Sequence, residues 1–463
     1  MDLNNKNVLV IGLAKTGIST IKYLHSQNAN VIVNDIKKEE ELKDILVELN
    51  QLENVKFVLG KHIEDLANID LAVVSPGVPL DIPFILNIKN NNIELIGEVE
   101  LAYRAFSSTS NKPLLASITG TNGKTTTTSL TGELFKNAKK DTYIVGNIGN
   151  PIIDTVDSVT NESYMVSELS SFQLESISTF RPNVSAILNI TEDHLNRHHT
   201  MENYIEAKAR VFMNQENNDI TILNYDDITT RELVNKTKAT VYLFSTNCNL
   251  DSLNLKGAYI DDEGYIVINV NKSFRLMHKS EVSLPGIHNL QNCLASALIA
   301  YSFNIETSII THTLSTFKGV EHRQEFVKDL NNVRYVNDSK GTNPDSTIKA
   351  INSYERPIVL IAGGKDKKSD FRDLIEVAKG RVKAIVLLGE TSEIIQKQAR
   401  LCGFEGLMIR VNTMKDAVVV SNKISKEGDV VLLSPACASW DMYNNFEERG
   451  NEFKQCVLEL ESK

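Results

Sequence analysis

The sequence predicts an α/β protein of three open, mostly parallel sheets covered by helices. Three observations carry that expectation. The commonest pattern along the chain is a short aliphatic run followed by a helical stretch, which is how parallel sheets are written. Glycine-bearing turns stand where strands hand over to helices, as in "VLVIGLAKTG" and "SITGTNGKTTT". The 463 residues are 42% hydrophobic and 23% charged, enough for about three globular domains of roughly 100 to 200 residues each.

The first block, residues 1–105, opens with "NKNVLVIGLAKTGISTIKYLHSQNANVIVND". It reads as a strand to Leu13, a glycine turn, a helix burying Ile18, Ile21 and Leu24, and a second strand ending at Asp35. Further strands fall near "DLAVVSPG" and "IELIGE", and "FSSTSNK" reads as a linker. The second block, 106–318, begins with the strand "PLLASITG", its glycine loop and a helix from about Thr126 to Ala138. Strands follow at "YMVSELSS", "VSAILNI", "ITILNYDD" and "TVYLFST", then a hairpin around "DDEG". The helix "HNLQNCLASALIAYSF" places Leu290, Leu294, Leu298 and Tyr301 on one face. The third block, 319–463, repeats the theme with "VRYVNDS", "RPIVLIAGG", "KAIVLLG" and "DVVLLSPA", a further open sheet.

Composition removes several function classes. A net charge of −10 without long runs of one sign lacks the basic stripe of a nucleic-acid surface, so small molecules are the expected partners. No apolar run reaches the roughly 18 residues of a membrane span, and "MDLNNKNVLVIGL" lacks the layout of a secretory signal. A cytoplasmic monomer is expected. Cys248, Cys293, Cys402, Cys437 and Cys456 are scattered, with no C-x-x-C pair, which fits neither a zinc site nor a disulfide framework. "GLAKTG" is not G-x-G-x-x-G, so a nicotinamide-dinucleotide oxidoreductase is disfavoured even though Asp35 falls near the ribose-binding spacing.

The chemistry concentrates in the second block. In "GTNGKTT", Gly120, Thr121, Asn122, Gly123, Lys124, Thr125 and Thr126 form a loop between strand and helix. Such a loop offers backbone N–H groups and a positive helix end to an anion, with Lys124 adding charge and Thr125 an oxygen for Mg²⁺. The spacing is shorter than a standard P-loop's. "SELSSFQL" sets Glu168 at the end of a strand and "NITEDHLNRH" sets His194 just past the next, the edge where such sheets gather ligands. Taken singly, Glu168 could equally be a surface carboxylate and His194 a loop histidine. Lys208 of "YIEAKARVF" reads as mid-helix, and alone as an ordinary exposed lysine. As a cation it does not belong beside a metal, since at roughly 4 Å and an effective dielectric of about 20 the repulsion is on the order of 4 kcal/mol per unit charge pair.

"TGTNGKTT", "SELSSFQL", "DHLNRH", "YIEAKARVF", "GIHNLQN", "GVEHRQE", "NDSKGTNP", "GGKDKKSDF" and "LLSPACASWDMYNNFEERGNEF" occur in the order and at about the separations of the Mur ligase family, which the chain resembles from Gly12 to Phe453. The resemblance implies a Rossmann-like N-terminal domain, a P-loop-like ATPase centre and a Rossmann-like C-terminal domain. It implies an ATP-dependent ligase adding D-glutamate to UDP-N-acetylmuramoyl-L-alanine through an acyl phosphate, a step in making peptidoglycan precursors. Lys124 would then contact the ATP phosphates, Thr125 and Glu168 would hold one Mg²⁺, and His194 a second. Lys208 would carry a CO₂-derived carbamate, which turns its cation into an anion able to support that second metal. Asn289, Arg323 and Asp338 match positions for the rest of ATP; the last two lie in the third block, so closure of that block would complete the nucleotide site.

The UDP substrate would meet Lys15, Thr16, Asp35, Gly77, Asn147 and His194, although Lys15 stands where the family has an aliphatic residue. D-glutamate would meet Thr342, Lys367, Ser439 and Phe446, with Lys365 and Lys368 as alternatives to Lys367 in the same loop. The lysine- or diaminopimelate-adding relatives would show a D-N-P-R motif, which is absent here. A folylpolyglutamate synthase would lack the UDP-binding first block. A mere nucleotide-binding module would not need Glu168, His194 and Lys208 beside the loop.

Overall fold

The computed structural model describes residues 2–108, 111–365 and 369–461. Its first sheet comprises β1 (Asn7–Ile11), β2 (Asn30–Asp35), β3 (Val55–Leu59), β4 (Leu71–Val74) and β5 (Glu94–Gly97), all parallel in the order β3-β2-β1-β4-β5. The aliphatic runs of β1 and β4 are buried because helices cover both faces. Between these two strands the winding direction reverses, which opens a crevice beyond their carboxyl ends. β1 stops at Ile11, two residues short of the expected Leu13. Gly12 leaves the strand at φ +94°, and a Cβ on Gly17 would overlap the Gly12 carbonyl oxygen, so two glycines let the helix Lys15–Ser26 start close against the strand end.

The second sheet comprises β6 (Leu114–Thr119), β7 (Thr142–Gly146), β8 (Tyr164–Glu168), β9 (Val184–Ile187), β10 (Ile220–Asn224), β11 (Thr240–Ser245), β12 (Gly257–Ile260), β13 (Tyr265–Asn269) and β14 (Ser273–His278). Their order is β14-β13-β12-β11-β10-β9-β6-β8-β7, and the strands are parallel except β13 and β14, which extend the sheet antiparallel. β6 therefore runs between β8 and β9, and the glycine loop that follows it emerges between the ends of both.

"FSSTSNK" is not wholly a linker, because the helix Glu98–Ser108 runs through its first three residues. Val99, Leu101, Ala102, Tyr103 and Phe106 are buried in one core with residues of both sheets, and that burial carries the helix past the weak serines. Glu100 holds its place by accepting the backbone N–H groups of Ser178, Thr179 and Phe180 while pairing with Arg104.

The third sheet comprises β15 (Glu325–Leu330), β16 (Val333–Asn337), β17 (Ile358–Ala362), β18 (Val382–Leu387), β19 (Leu407–Arg410) and β20 (Val430–Leu433), in the order β15-β16-β20-β17-β18-β19. Only β15 is antiparallel. The chain forms two compact units. One takes Met1–Glu281 and Gln291–Ser315 and so holds the first two sheets; the other takes Val282–Leu290 and Thr316–Lys463. No helix among the described residues is long and apolar enough to cross a membrane.

Candidate active site

The glycine loop is built from its backbone outward. Gly120 has φ +150° and Gly123 φ +84°, and Gly123 caps the helix Lys124–Asn137, which starts two residues before the expected Thr126. A Cβ on Gly123 would collide with Asn292 Oδ1. Asn189, beyond β9, fixes the loop: its Oδ1 accepts Asn122 N–H at 2.8 Å and its Nδ2 donates to Asn122 O at 3.0 Å. Thr121 Oγ1 lies 3.1 Å from Tyr204 Oη and accepts Thr191 N–H at 3.0 Å. Lys124 Nζ curls over the loop to donate to Gly120 O at 2.8 Å and Thr121 O at 2.9 Å. Thr125 and Thr126 are buried in the first helical turn.

Three further groups converge there. Lys208 lies in the last turn of the helix Met201–Ala209, not at its middle, and is only 2% exposed. The reading of an ordinary exposed lysine therefore does not hold. Its Nζ donates to the same Gly120 O, also at 2.8 Å. Burial first, then the Lys124 charge, pushes the Lys208 amine well below the usual lysine range, against smaller opposing pulls from Asp193 and Glu168. His194 sits in a left-handed backbone conformation before the turn Leu195–His198, its ring 4.9 Å from that of Phe172. Burial lowers its pKa, Asp193 opposes, and Lys208 and Lys124 lower it further, a balance that favours the neutral imidazole. Glu168 ends β8, 2% exposed. Its Oε1 accepts Asn147 Nδ2–H at 2.9 Å, while Oε2 is buried with no hydrogen-bond partner among the described residues.

That orphaned oxygen is the test of whether a metal suits these residues. A buried carboxylate oxygen without a donor is costly unless a cation completes it, and Thr125 supplies a neutral oxygen of the kind Mg²⁺ takes. The donor set fits. Among the described residues no three His, Cys, Asp or Glu side chains cluster as a ready-made metal site.

A cleft of about 520 Å³ opens at the reversal point of the first sheet, and Lys15, Thr16, Asp35, Gly77 and Asn147 all line it. His194 is not among its lining residues. Lys15, the departure from an aliphatic residue, donates from Nζ to Gly149 O at 2.6 Å. Asp35 is engaged by the chain itself, accepting Leu13 N–H at 2.6 Å and Lys37 N–H at 2.9 Å. Gly77 faces open space, whereas a Cβ on Gly146 would overlap the Glu168 carbonyl oxygen.

In the second unit, Asn289 Nδ2 donates to Pro285 O at 2.7 Å. Arg323 stands between His322 and Gln324, both with positive φ, and its Nε is buried without an acceptor among the described residues. An unused buried donor flanked on both sides by strained backbone suits a ligand contact. Asp338 accepts Ser434 Oγ–H at 2.7 Å and Gln324 N–H at 3.2 Å; burial pushes its carboxyl up to about 6. Thr342 and Ser439 sit on loops, and Phe446 starts a helix, all joined beyond the sheet's carboxyl edge: Ala436 N–H donates to Gly341 O, and Ser339 Oγ–H to Phe446 O. Lys367, like Lys368, lies outside the described residues; Lys365 pairs with Glu390 at 2.6 Å.

Sequence reasoning missed Asn189, Tyr204 and Gly146 as parts of the site. "LNI" and "VGN" after their strands are the only local signals, and neither specifies a partner.

Three family descriptions match the chain: the Mur ligase MurD-like N-terminal domain over residues 6–97, the Mur ligase middle domain over 118–300, and the Mur ligase glutamate ligase domain over 322–437. A UDP-N-acetylmuramoylalanine--D-glutamate ligase of Clostridioides difficile (strain 630) is 58% identical over 99% of this chain and 100% of its own length. The ligase of the same name from Alkaliphilus oremlandii is 49% identical with the same coverage. Among solved structures, the MurF ligase of Thermotoga maritima in complex with ADP aligns with a TM-score of 0.60 over 93% of this chain and 95% of that one, at 16% identity. The MurC ligase of that organism aligns at 0.57 over 97% and 98%, at 19% identity, and both likenesses show a shared α/β fold. With a relative this similar along its whole length, the chain belongs to the Mur ligase family.

Proposed function

We propose that this protein is an ATP-dependent ligase that joins D-glutamate to UDP-N-acetylmuramoyl-L-alanine in the synthesis of peptidoglycan precursors. The observation that carries the reading is the convergence on one backbone oxygen: Lys124 and Lys208 both donate to Gly120 O at the glycine loop. The names of the full-length relatives supply the identity of the acceptor and the amino acid.

Mg²⁺, when bound, supplies charge neutralisation and orientation for the triphosphate, and Thr125 and Glu168 would hold it. The loop N–H groups and Lys124 bind the phosphates. The free carboxylate of the UDP-bound alanine attacks the γ-phosphorus and ADP leaves, giving an acyl phosphate. The D-glutamate amine then attacks that carbonyl, phosphate departs from the tetrahedral adduct, and the amine's proton is lost as the amide forms. Positioning and electrostatics suffice, with no protein nucleophile.

Lys208 is suited to take up CO₂. As a neutral amine it forms an N–C bond and releases a proton, and the product is an anion that would support a second ion beside His194. The cleft holding Lys15, Thr16, Asp35, Gly77 and Asn147 would take the UDP moiety, with His194 reaching the substrate. Asn289, Arg323 and Asp338 would meet ATP, and Thr342, Lys367, Ser439 and Phe446 the amino acid. Blocks 1–105, 106–318 and 319–463 would serve these three tasks in a cytoplasmic monomer.

Phosphate release from ATP tests the reading. It should require both UDP-N-acetylmuramoyl-L-alanine and D-glutamate. Equal release with L-glutamate, or with a folate in place of the UDP-sugar, overturns it.

A further inference from the structure

Arg449 is the bulkiest side chain fully buried among the described residues, at 2% exposure. It is an expensive place for a cation. It lies in the first turn of the helix Phe446–Leu458, whose positive end disfavours it, and burial lowers its guanidinium to about 10. All its hydrogen bonds go to neutral acceptors. Nε donates to Ser339 Oγ at 3.0 Å, Nη2 to Ser339 O at 2.8 Å, and Nη1 to Cys437 O and Ala438 O, both at 3.2 Å. Asp441 and Asp338 attract it without a hydrogen bond. A buried charge with no hydrogen-bonded counter-ion is a poor source of stability, and an apolar side chain of similar volume would serve packing better.

Its contacts give it a different task. Ser339 follows β16 and precedes Thr342; Cys437 and Ala438 follow β20 and precede Ser439; the arginine's own helix begins at Phe446. Lys365 N–H donates to Ala438 O at 2.9 Å, and a Cβ on Gly364 would lie 3.3 Å from Nη1, so the loop after β17 abuts the same group. One planar fork thus ties together the loops beyond two neighbouring strands, β16 and β20, and abuts the loop beyond a third, β17. We infer that Arg449 is a positioning residue for the incoming amino acid: it holds the loops bearing Thr342, Ser439 and Phe446 in register and sets a fixed positive charge behind them for a ligand with two carboxylates. This rests on the D-glutamate reading above.

The test uses the full-length enzyme and the variants Arg449→Lys and Ser339→Ala. Lysine keeps the charge but not the fork; the serine change leaves the arginine in place and removes both its acceptor at Ser339 Oγ and the Oγ–H bond to Phe446 O. Steady-state kinetics are measured for D-glutamate, ATP and the UDP-substrate, together with the thermal midpoint. Emission of Trp440, the chain's single tryptophan, exposed beside Ser439, reports the loop directly. We expect Arg449→Lys to raise the D-glutamate KM about tenfold or more and to shift Trp440 emission, with the other two KM values within about twofold. Ser339→Ala should raise the D-glutamate KM about threefold. Should Arg449→Lys fail to fold, Ser339→Ala decides alone. An unchanged D-glutamate KM, or a uniform rise in all three KM values with a lowered midpoint, overturns the inference. If the parent enzyme itself does not prefer D-glutamate over L-glutamate, it is the underlying reading that falls.

Discussion

Asp338 shows at the scale of one residue how a site costs stability. Burial lifts its carboxyl from 3.8 to about 6. A carboxyl raised in the folded state contributes its stability below the unfolded value and loses it as pH climbs through the folded one. A rise of that size corresponds to roughly 3 kcal/mol. Asp338→Asn should therefore stabilise the protein at pH 7.5 by on the order of 1 to 3 kcal/mol, with no gain at pH 4, while impairing turnover. Denaturant unfolding at both pH values checks this, and a gain of equal size at pH 4 contradicts it. The placement of Glu168 and of the glycine loop at the carboxyl ends of strands was legible in the sequence, whereas Asp338 was reached through the family resemblance. The burial of Lys208 was not legible. A lysine near a helix end carries no local sign of being covered, and only the fold brings Gly120 O, 88 positions away, within 2.8 Å of it.

Elements were legible where their burial was complete. The runs in β1, β4, β8, β9, β17 and β20 are aliphatic because both faces of these strands are covered. The strands that escaped the sequence reading, β3, β7, β14, β15 and β19, are largely half-exposed and mix polar with apolar residues, so their periodicity is weak. β7 matters most of these, because it ends at Gly146 beside Glu168 and carries the turn to Asn147. Two glycine substitutions separate the roles here. Gly146→Ala faces φ +103° and the Glu168 carbonyl, and should cost about 2 kcal/mol or more in thermal or denaturant unfolding. Gly77→Ala meets open space and should stay within about 0.5 kcal/mol of the parent, raising only the KM for the UDP-substrate. If the two variants lose equal stability, the crowding assigned to Gly146 is wrong.

Across the whole molecule one rule recurs: each of the three sheets gathers its chemistry beyond the carboxyl ends of parallel strands. The cleft at Gly12 and Gly77, the loop at Gly120 and the linked loops around Ser439 follow β1 and β4, β6, and β20. That placement follows from helix N-termini and free loops lying together on one edge; the function itself was indicated by the resemblance that the order of motifs carries. What binds at the centre depends on Lys208 being a buried amine, pushed below the usual lysine range by burial and by Lys124. The most direct measurement is electron density at Lys208 Nζ in crystals grown near neutral pH with bicarbonate, Mg²⁺ and a non-hydrolysable ATP analogue. The expected result is a planar three-atom extension from Nζ that ligates a metal ion. A bare amine still donating to Gly120 O, with nucleotide and metal bound beside it, would contradict the reading.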